Sequence, residues 1–243
     1  MKSINCLKQI DDFIFHARIM PAATVLFPFL VCFFLNGWSS EMTAETVFIL
    51  VLAVFSGQII RVLGKQYETR FISRMGGLAS TIILRFSDST IDAESKKHYH
   101  KIIFEKLGIP LPNSPEDEAS KANSADQSYM LAMNELRIYA NNHRKKVPRV
   151  YQELKKYNYW RNLRGCKWIA LPLYVISIIV ELMRLDGECI LLAIKHPNAH
   201  HLSMLFFLSW GILFLTMVTD QTVRLNAFDY AKALLESAEI YES

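Results

Sequence analysis

The sequence has few cysteines, and they are spread too widely to form a short metal-binding or redox motif. The four cysteines among 243 residues are Cys6, Cys32, Cys166 and Cys189. This spacing argues against a disulfide framework and against a zinc site built from thiolates. The chain also has no P-loop, no GxGxxG motif and no serine–histidine–aspartate arrangement. We therefore expect no metal, no cofactor and no catalytic residues.

The chain also lacks a strong net charge, which is +4 with histidine neutral. Such a balance gives no sign of nucleic-acid binding, so nucleic acid is not expected as a partner. The charge is uneven, however, because residues 64–166 contain 18 Lys and Arg against 11 Asp and Glu. A hydrophobic fraction of 51% beside 21% charged residues therefore reflects segregation of apolar and charged residues along the chain.

Four apolar runs lack the polar stripe of a soluble amphipathic helix. They are Ile19–Leu35, Thr46–Leu63, Trp168–Met183 and Leu202–Thr219. A helix needs about 20 residues to cross the hydrocarbon core of a bilayer. Four buried core helices in a chain of 243 residues would leave too little polar sequence to cover them. The sequence therefore predicts an all-α integral membrane protein with four transmembrane helices in the lipid bilayer.

The lysines and arginines of the loops predict the orientation of the helices. Residues 36–45 contain none of them, whereas the long basic stretch follows the second run. We expect both termini and the large loop in the cytoplasm. The predicted organisation is 1–63 for a leader and the first two spans, 64–166 for a basic helical cytoplasmic domain between spans 2 and 3, 167–219 for the last two spans, and 220–243 for a cytoplasmic helix.

Local sequence signals divide the predicted cytoplasmic part into helices, and no segment alternates as a strand does. The predicted starts are Thr90 or Asp92, Ser114–Pro115, Tyr129 and Pro148, and the predicted ends or breaks are Gly76–Gly77, Gly108 and His143. We expect the polar stretch that leads to Ser128 to be partly disordered. The helix that Pro148 opens is expected to continue into the third apolar run, and the helix 220–241 to pack against the bundle.

A polar cluster at the predicted membrane boundary is the most unusual stretch of the chain. It consists of Tyr157, Asn158, Arg161, Asn162 and Arg164, and it replaces an apolar helix face with polar groups. One interpretation is an interfacial belt in which the arginines meet lipid phosphates. The other is a polar group at the mouth of a bundle that gates it or binds an anionic ligand. The sequence leaves both interpretations open.

Two groups of histidines give weaker signals. Arg137 and His143 have the Arg-x5-His spacing of HEPN ribonucleases, in which Arg and His act on an RNA phosphate. A solvated basic helix end is the preferred interpretation, since Ile138 replaces the polar residue that often follows the arginine. The second group, for which we expect loop or surface positions without a metal, consists of His98, His100, His196, His200 and His201.

Short motifs in the middle third of the chain resemble a pattern found in uncharacterised bacterial membrane proteins. The motifs are Leu84-Arg85 with Asp88, then Tyr99, then Glu153 with Tyr157–Leu163. The resemblance implies a four-helix protein of a bacterial inner membrane with a long cytoplasmic insertion, and it implies no activity.

Three function classes remain open. The favoured hypothesis is an oligomeric membrane effector or channel, whose cytoplasmic domain senses a ligand or partner and which serves in antiviral defence. The alternative is a non-catalytic scaffold or sensor that anchors a cytoplasmic protein partner. The third is a membrane-bound ribonuclease that acts through Arg137 and His143. We expect a homo-oligomer and no enzymatic activity.

Overall fold

The computed structural model describes residues 12–36, 43–185 and 198–242, with side chains from residue 56 onward in the second range. The structure is 83% helical, and the described residues contain no strand. The all-helical prediction is therefore confirmed.

The helices follow one another with short connections. Their bounds are α1 Asp12–Leu35, α2 Thr43–Met75, α3 Ala79–Ile82, α4 Ala93–Leu107, α5 Pro115–Ser120, α6 Ala122–Asn142, α7 Pro148–Met183, α8 Ala199–Met217 and α9 Asp220–Glu236, followed by a 3₁₀ turn, Ser237–Ile240. Residues Phe15–Ile19 of α1 form a π-helical turn.

Three described helices are long and apolar enough to cross a membrane, namely α1, α7 and α8. They contain the first, third and fourth predicted runs. The second predicted run, Thr46–Leu63, lies in α2, but the side chains of residues 43–55 lie outside the described residues. A fourth span therefore stays a prediction.

The chain divides into two compact units. Unit 1 consists of Met1–Glu68 and Asn158–Thr222, and unit 2 of Thr69–Tyr157 and Val223–Ser243. These boundaries lie at 68 and 157, whereas the sequence limits were set at 63 and 166. Which unit faces the cytoplasm stays a prediction.

The core of unit 1 contains a group of aromatic side chains. Tyr174 is 1% exposed, and the rings of Phe29, Phe207 and Phe214 lie around it. Its hydroxyl donates a hydrogen bond of 2.8 Å to the carbonyl of Val25. This bond satisfies the polar tip of a ring that is otherwise surrounded by apolar atoms.

The candidate spans of unit 1 also present large apolar side chains outward. Trp168 and Met183 are each 75% exposed. Others on the same helices are Phe27, Phe34, Ile169, Leu173, Val175, Ile176, Ile179, Leu205, Leu208, Ile212 and Leu213. An apolar surface of this extent suits hydrocarbon rather than water. The three candidate spans and this surface indicate a membrane-associated protein.

Unit 2 contains a second apolar core, whose fully buried members include Ile83, Ile103, Tyr129, Leu136 and Leu234. They come from α4, α6, α9 and the turn that follows α3. The predicted packing of the last helix against this bundle is confirmed. The core explains why short helices persist here, since helical stability in proteins comes mainly from burial of an amphipathic face.

The ends of these helices confirm most of the local predictions. Asp92 caps α4 by accepting hydrogen bonds from the amides of Glu94 and Ser95. Gly108 follows α4 in the left-handed conformation, at φ 68°, which glycine adopts without the Cβ clash. Ser114 caps α5, and Pro115 is its first residue.

Two features of the helical pattern have different outcomes. The expected continuation of the Pro148 helix into the third apolar run is confirmed by α7. The expected partial disorder before Ser128 is wrong, because residues 122–128 belong to α6. Ala125 and Tyr129 of that helix are buried in the core of unit 2, and this burial outweighs the weak apolar signal of the stretch.

Candidate functional site

The predicted boundary cluster divides between the two units. Tyr157 belongs to unit 2, where its ring is parallel to that of Tyr230 at 6.4 Å between centroids. Asn158, Arg161 and Asn162 are buried in unit 1. Burial of three polar side chains in one unit requires partners, because an unsatisfied buried polar group is costly.

Arg161 forms a buried ion pair with a residue that the sequence analysis did not single out. Its Nη1 lies 3.1 Å from Oε1 of Glu68 on α2, and the arginine is 4% exposed. Its Nη2 and Nε donate to the side-chain oxygen of Asn162 at 3.1 and 3.3 Å. The second carboxylate oxygen of Glu68 accepts from Lys65 at 2.7 Å. The guanidinium is therefore neutralised within unit 1.

Asn162 links this pair to the π-helical turn of α1. Its side-chain nitrogen donates a hydrogen bond of 2.6 Å to the carbonyl of Ala17. In a π turn the backbone bonds run from residue i to i+5, and that turn presents the Ala17 carbonyl to Asn162. The Asn162 side chain thus bonds both to α1 and to Arg161, which lies on its own helix. The carboxylate that pairs with Arg161 belongs to Glu68 on α2.

Two glycines allow α2 and α7 to come this close. A Cβ added to Gly165 would lie 2.5 Å from the backbone nitrogen of Gly64. A Cβ added to Gly64 would lie 2.1 Å from the side-chain oxygen of Asn162. Small residues are the usual means by which membrane helices reach such distances. Gly165 is therefore a point of close backbone contact between α7 and α2.

A second ion pair links α7 to the start of α9. Nε of Arg164 lies 2.6 Å from Oδ1 of Asp220, the first residue of α9. The same oxygen accepts a hydrogen bond of 2.9 Å from the hydroxyl of Tyr67, and the guanidinium lies 5.2 Å from the centroid of the Tyr67 ring. Arg164 is therefore held by charge and by a cation–π contact.

Lys167 binds the carboxyl end of α8. Its ammonium donates to the carbonyls of Leu215 at 2.8 Å and Val218 at 2.7 Å. The last carbonyls of a helix have no intrahelical partner and carry partial negative charge. A lysine that is 8% exposed thus donates its hydrogen bonds to a helix end.

These contacts bear on the two interpretations of the cluster. Arg161 and Arg164 each have a carboxylate partner inside unit 1. We define the two pairs together with Asn162 as the closed polar network, whose residues are Glu68, Arg161, Asn162, Arg164 and Asp220. An arginine that is already paired with a carboxylate attracts a lipid phosphate less strongly.

The ribonuclease candidates have separate surroundings in unit 2. His143 is exposed at the end of α6, with its ring 4.4 Å from that of Tyr139. Arg137 lies near Tyr230, where its guanidinium opposes the upward shift that burial gives the pKa of the Tyr230 hydroxyl. Six residues of helix place two side chains about 120° apart around the axis. The nuclease hypothesis gains no support from this arrangement.

The histidines of the sequence analysis have several outcomes. His98 is on the surface, as expected, with a side chain that is 60% exposed. The loop expected for His200 and His201 is wrong, because both lie in α8. His200 is 2.7 Å from the carboxylate of Glu181, and His201 is buried and forms a capping box with Asn198. His196 lies outside the described residues. Within the described ranges, no group of three His, Cys, Asp or Glu could hold a metal ion.

The surface position expected for His100 is wrong. This residue is 4% exposed, and its two ring nitrogens lie 2.9 Å from the carbonyl of Pro112 and 3.0 Å from that of Leu84. Burial lowers the pKa of the imidazole, and the two carbonyls oppose that shift. A neutral imidazole carries one N–H, so only one carbonyl receives a hydrogen bond at a time.

Lys96 lies one turn before His100 and is also buried, at 1% exposure. Its ammonium donates a bond of 2.6 Å to the carbonyl of Arg85 and a second, shorter bond to that of Asp88. Burial lowers the pKa of Lys96, while the Asp88 and Glu118 carboxylates oppose the shift. The Leu84–Asp88 segment, which the sequence analysis noted only for a resemblance, is thus held by two buried side chains, those of Lys96 and His100.

We found no protein-family model that matches the chain, and no curated protein or solved structure with detectable similarity to it.

Proposed function

We propose that this chain is an oligomeric, channel-like effector of a bacterial inner membrane, possessing four spans and cytoplasmic termini. In this proposal a helical cytoplasmic domain between spans 2 and 3 senses a ligand or partner, and the spans respond. A role in defence belongs to the same proposal. The outward apolar side chains of α1, α7 and α8 support insertion of unit 1 into a bilayer.

The closed polar network is the observation that favours an effector over a passive anchor. An anchor needs only helices compatible with lipid, and ionisable groups add a desolvation cost to it. Unit 1 nevertheless contains the Arg161–Glu68 and Arg164–Asp220 pairs. Ionisable residues within membrane-spanning units are usually functional, so we assign them a gating role.

The gating step follows from the partners. In the closed arrangement the Arg161 guanidinium is bonded to Glu68, and Asn162 to the Ala17 carbonyl. Separation of α7 from both α1 and α2 would release the guanidinium and the amide together. Packed helices tend to switch between discrete arrangements rather than deform continuously. In an oligomer the released polar groups would line a hydrated path.

Leakage from proteoliposomes tests this proposal. Full-length protein is reconstituted with a trapped dye, as wild type, Glu68→Gln and Lys65→Gln. We expect Glu68→Gln to leak several-fold faster than wild type, because it removes the carboxylate from Arg161. Lys65→Gln is the matched control, since it removes only the exposed partner of Glu68, and it should leak like wild type.

Two further readouts make the result decisive. Circular dichroism must show that each variant is folded, and native mass spectrometry must show an oligomer. If the folded Glu68→Gln oligomer leaks no faster than empty liposomes, the channel proposal fails. The anchoring scaffold then becomes the working account, and a search for a bound cytoplasmic protein follows.

A further inference from the structure

A groove on unit 2 combines positive charge with aromatic surface. It has a volume of about 370 Å³ and lies between α4 and the segment 109–113. Its lining includes Phe86, Lys97, Lys101 and Phe104, with Pro110 and Pro112 from the segment. Pockets for small ligands are typically about 300–1,000 Å³ and mostly apolar with a few polar anchors.

Two ammonium groups lie on the α4 side of the groove. Lys97 and Lys101 are one helical turn apart and therefore share a face. Lys97 has no ion pair with any described residue, and Lys101 lies 3.7 Å from the exposed Glu105 carboxylate. An exposed pair of that kind is weak. In the groove, Lys97 is thus available to an anionic ligand, and Lys101 can leave its weak pair with Glu105 to bind the same ligand.

Two phenyl rings supply a stacking surface beside these cations. Phe104 is 56% exposed, which is unusual for an aromatic residue on a unit with its own apolar core. Phe86 is half-buried, and its ring meets that of His100 edge-on at 5.2 Å. Exposed aromatic rings next to lysines are the combination with which proteins bind the base and the phosphate of nucleotides.

The walls of the groove are fixed by the buried residues described above. His100 joins α4 to the segment 109–113 through the Pro112 carbonyl, and to the turn that carries Phe86 through the Leu84 carbonyl. Lys96 binds the same turn at Arg85 and Asp88. A pre-formed groove loses less entropy when a ligand binds than a flexible one does.

We propose that this groove binds a small nucleotide, with its phosphate on Lys97 and Lys101 and its base against Phe104. The proposal rests on the sensing role proposed for unit 2 and names the chemical class of the ligand. Lys97 is the main anchor because its charge is uncommitted. His100 is a positioning residue, since its ring nitrogens are occupied by carbonyls.

Calorimetric titration of the full-length protein in detergent tests the ligand class. The probes are the four common ribonucleoside monophosphates, adenosine, ribose 5-phosphate, inorganic phosphate and a short-chain phosphatidic acid. We expect at least one monophosphate to bind at least tenfold more tightly than adenosine, ribose 5-phosphate and inorganic phosphate. Stacking of the base accounts for a difference of about that size from ribose 5-phosphate and inorganic phosphate. The charge-assisted bonds of the phosphate to the two ammonium groups account for the difference from adenosine.

Matched variants locate the site. Lys97→Gln and Phe104→Ala should each weaken nucleotide binding by about tenfold. Both side chains are exposed, so folding should be retained. The controls are Lys145→Gln and Met130→Ala, which change an exposed lysine and an exposed apolar residue of unit 2 elsewhere. They should bind like wild type.

The outcomes separate this inference from the proposed function. Equal binding of phosphatidic acid and nucleotide, or no binding of any monophosphate at 1 mM, would overturn the nucleotide site. If Lys97→Gln and Phe104→Ala leave nucleotide binding unchanged, the ligand binds elsewhere, and the proposed site is also overturned. Nucleotide binding without leakage in any liposome assay would leave the site standing and remove the channel.

Discussion

At the scale of single residues, the Arg161–Glu68 pair determines how strongly substitutions in unit 1 lower its stability. Glu68→Gln leaves a guanidinium that is 4% exposed without its carboxylate. Removing one partner of a buried ion pair typically costs about 3–5 kcal/mol. We expect Glu68→Gln to lower the free energy of unfolding by about 3 kcal/mol, as measured by chemical denaturation in detergent.

The matched control uses the other cation on the same carboxylate. Lys65 is 59% exposed in its side chain, and pairs at the surface contribute about 0–1 kcal/mol. Lys65→Gln should therefore change the free energy of unfolding by less than about 1 kcal/mol. Equal losses of unfolding free energy in the two variants would show that the buried Arg161 pair stabilises the protein no more than the exposed Lys65 pair does.

The residue scale is also where sequence reasoning was least complete. The change from apolar to polar residues after Leu154 marked Asn158, Arg161 and Asn162 as unusual. Nothing in the pattern indicated Glu68 or the Ala17 carbonyl as their partners. A partner more than 90 residues away in the chain, or on a backbone group, is chosen by helix packing, which a local pattern does not encode.

At the scale of secondary-structure elements, the crossing of α2 and α7 depends on the absence of two side chains. Gly165→Ala would place a Cβ 2.5 Å from the Gly64 backbone. Overpacking of this kind typically costs about 1–3 kcal/mol. We expect a clear fall in the midpoint of thermal unfolding in detergent.

Gly211 on α8 is the control for that substitution. A Cβ added there would lie 3.9 Å from the ring of Tyr174, which is an ordinary contact. Gly→Ala within a helix otherwise gains about 0.5–1 kcal/mol. Gly211→Ala should leave the midpoint unchanged or raise it, and a loss comparable to that of Gly165→Ala would contradict the close-crossing argument.

The connection between α4 and the segment 109–113 should depend on pH. Burial lowers the pKa of His100 in the folded state, so the unfolded state binds the proton more readily. The stabilising contribution is complete above the unfolded pKa of about 6.5 and declines as pH falls below it. We expect the urea midpoint of unit 2 unfolding to fall between pH 7.5 and pH 5.5.

Two substitutions check the source of that dependence. His100→Gln removes the titrating group and should reduce the slope of the midpoint with pH. His98→Gln changes an exposed histidine and should keep the wild-type slope. A slope that is unchanged in His100→Gln would assign the pH dependence to another group.

Helix boundaries were the part of the fold that the sequence determined best. Asp92, Gly108 and Ser114–Pro115 act through their own backbone and side-chain chemistry, so their signals are local. The π turn at Phe15–Ile19 was not foreseen, because no residue type specifies it. The helical state of residues 122–128 was missed for a similar reason, as it depends on a core assembled from distant segments.

At the scale of the whole molecule, the testable feature is the orientation of the chain in the bilayer. The predicted topology places Lys145 in the cytoplasm and Ser39 outside. In a variant without native cysteines, Ser39→Cys should react with an impermeant maleimide in intact spheroplasts. Lys145→Cys should react only after lysis.

Reversal of that labelling pattern would contradict the predicted topology. Reaction of both positions from the outside would contradict a single span between residues 39 and 145. Segregation of charge and apolar residues was enough to predict a membrane protein from sequence. Oligomeric state was only an expectation, since contacts between copies leave no periodic signal in one chain.

The glycine crossing has a consequence for how this protein can evolve. Where two side chains clash, a smaller residue on one side compensates for a larger one on the other. At Gly64 and Gly165 the obstacle is backbone as well as side chain, so no replacement at one position makes room at the other. Among homologues these two sites should both be invariant, whereas Arg161 and Glu68 should be replaced together. An alignment of diverged relatives should therefore show covariation at the ion pair and none at the crossing.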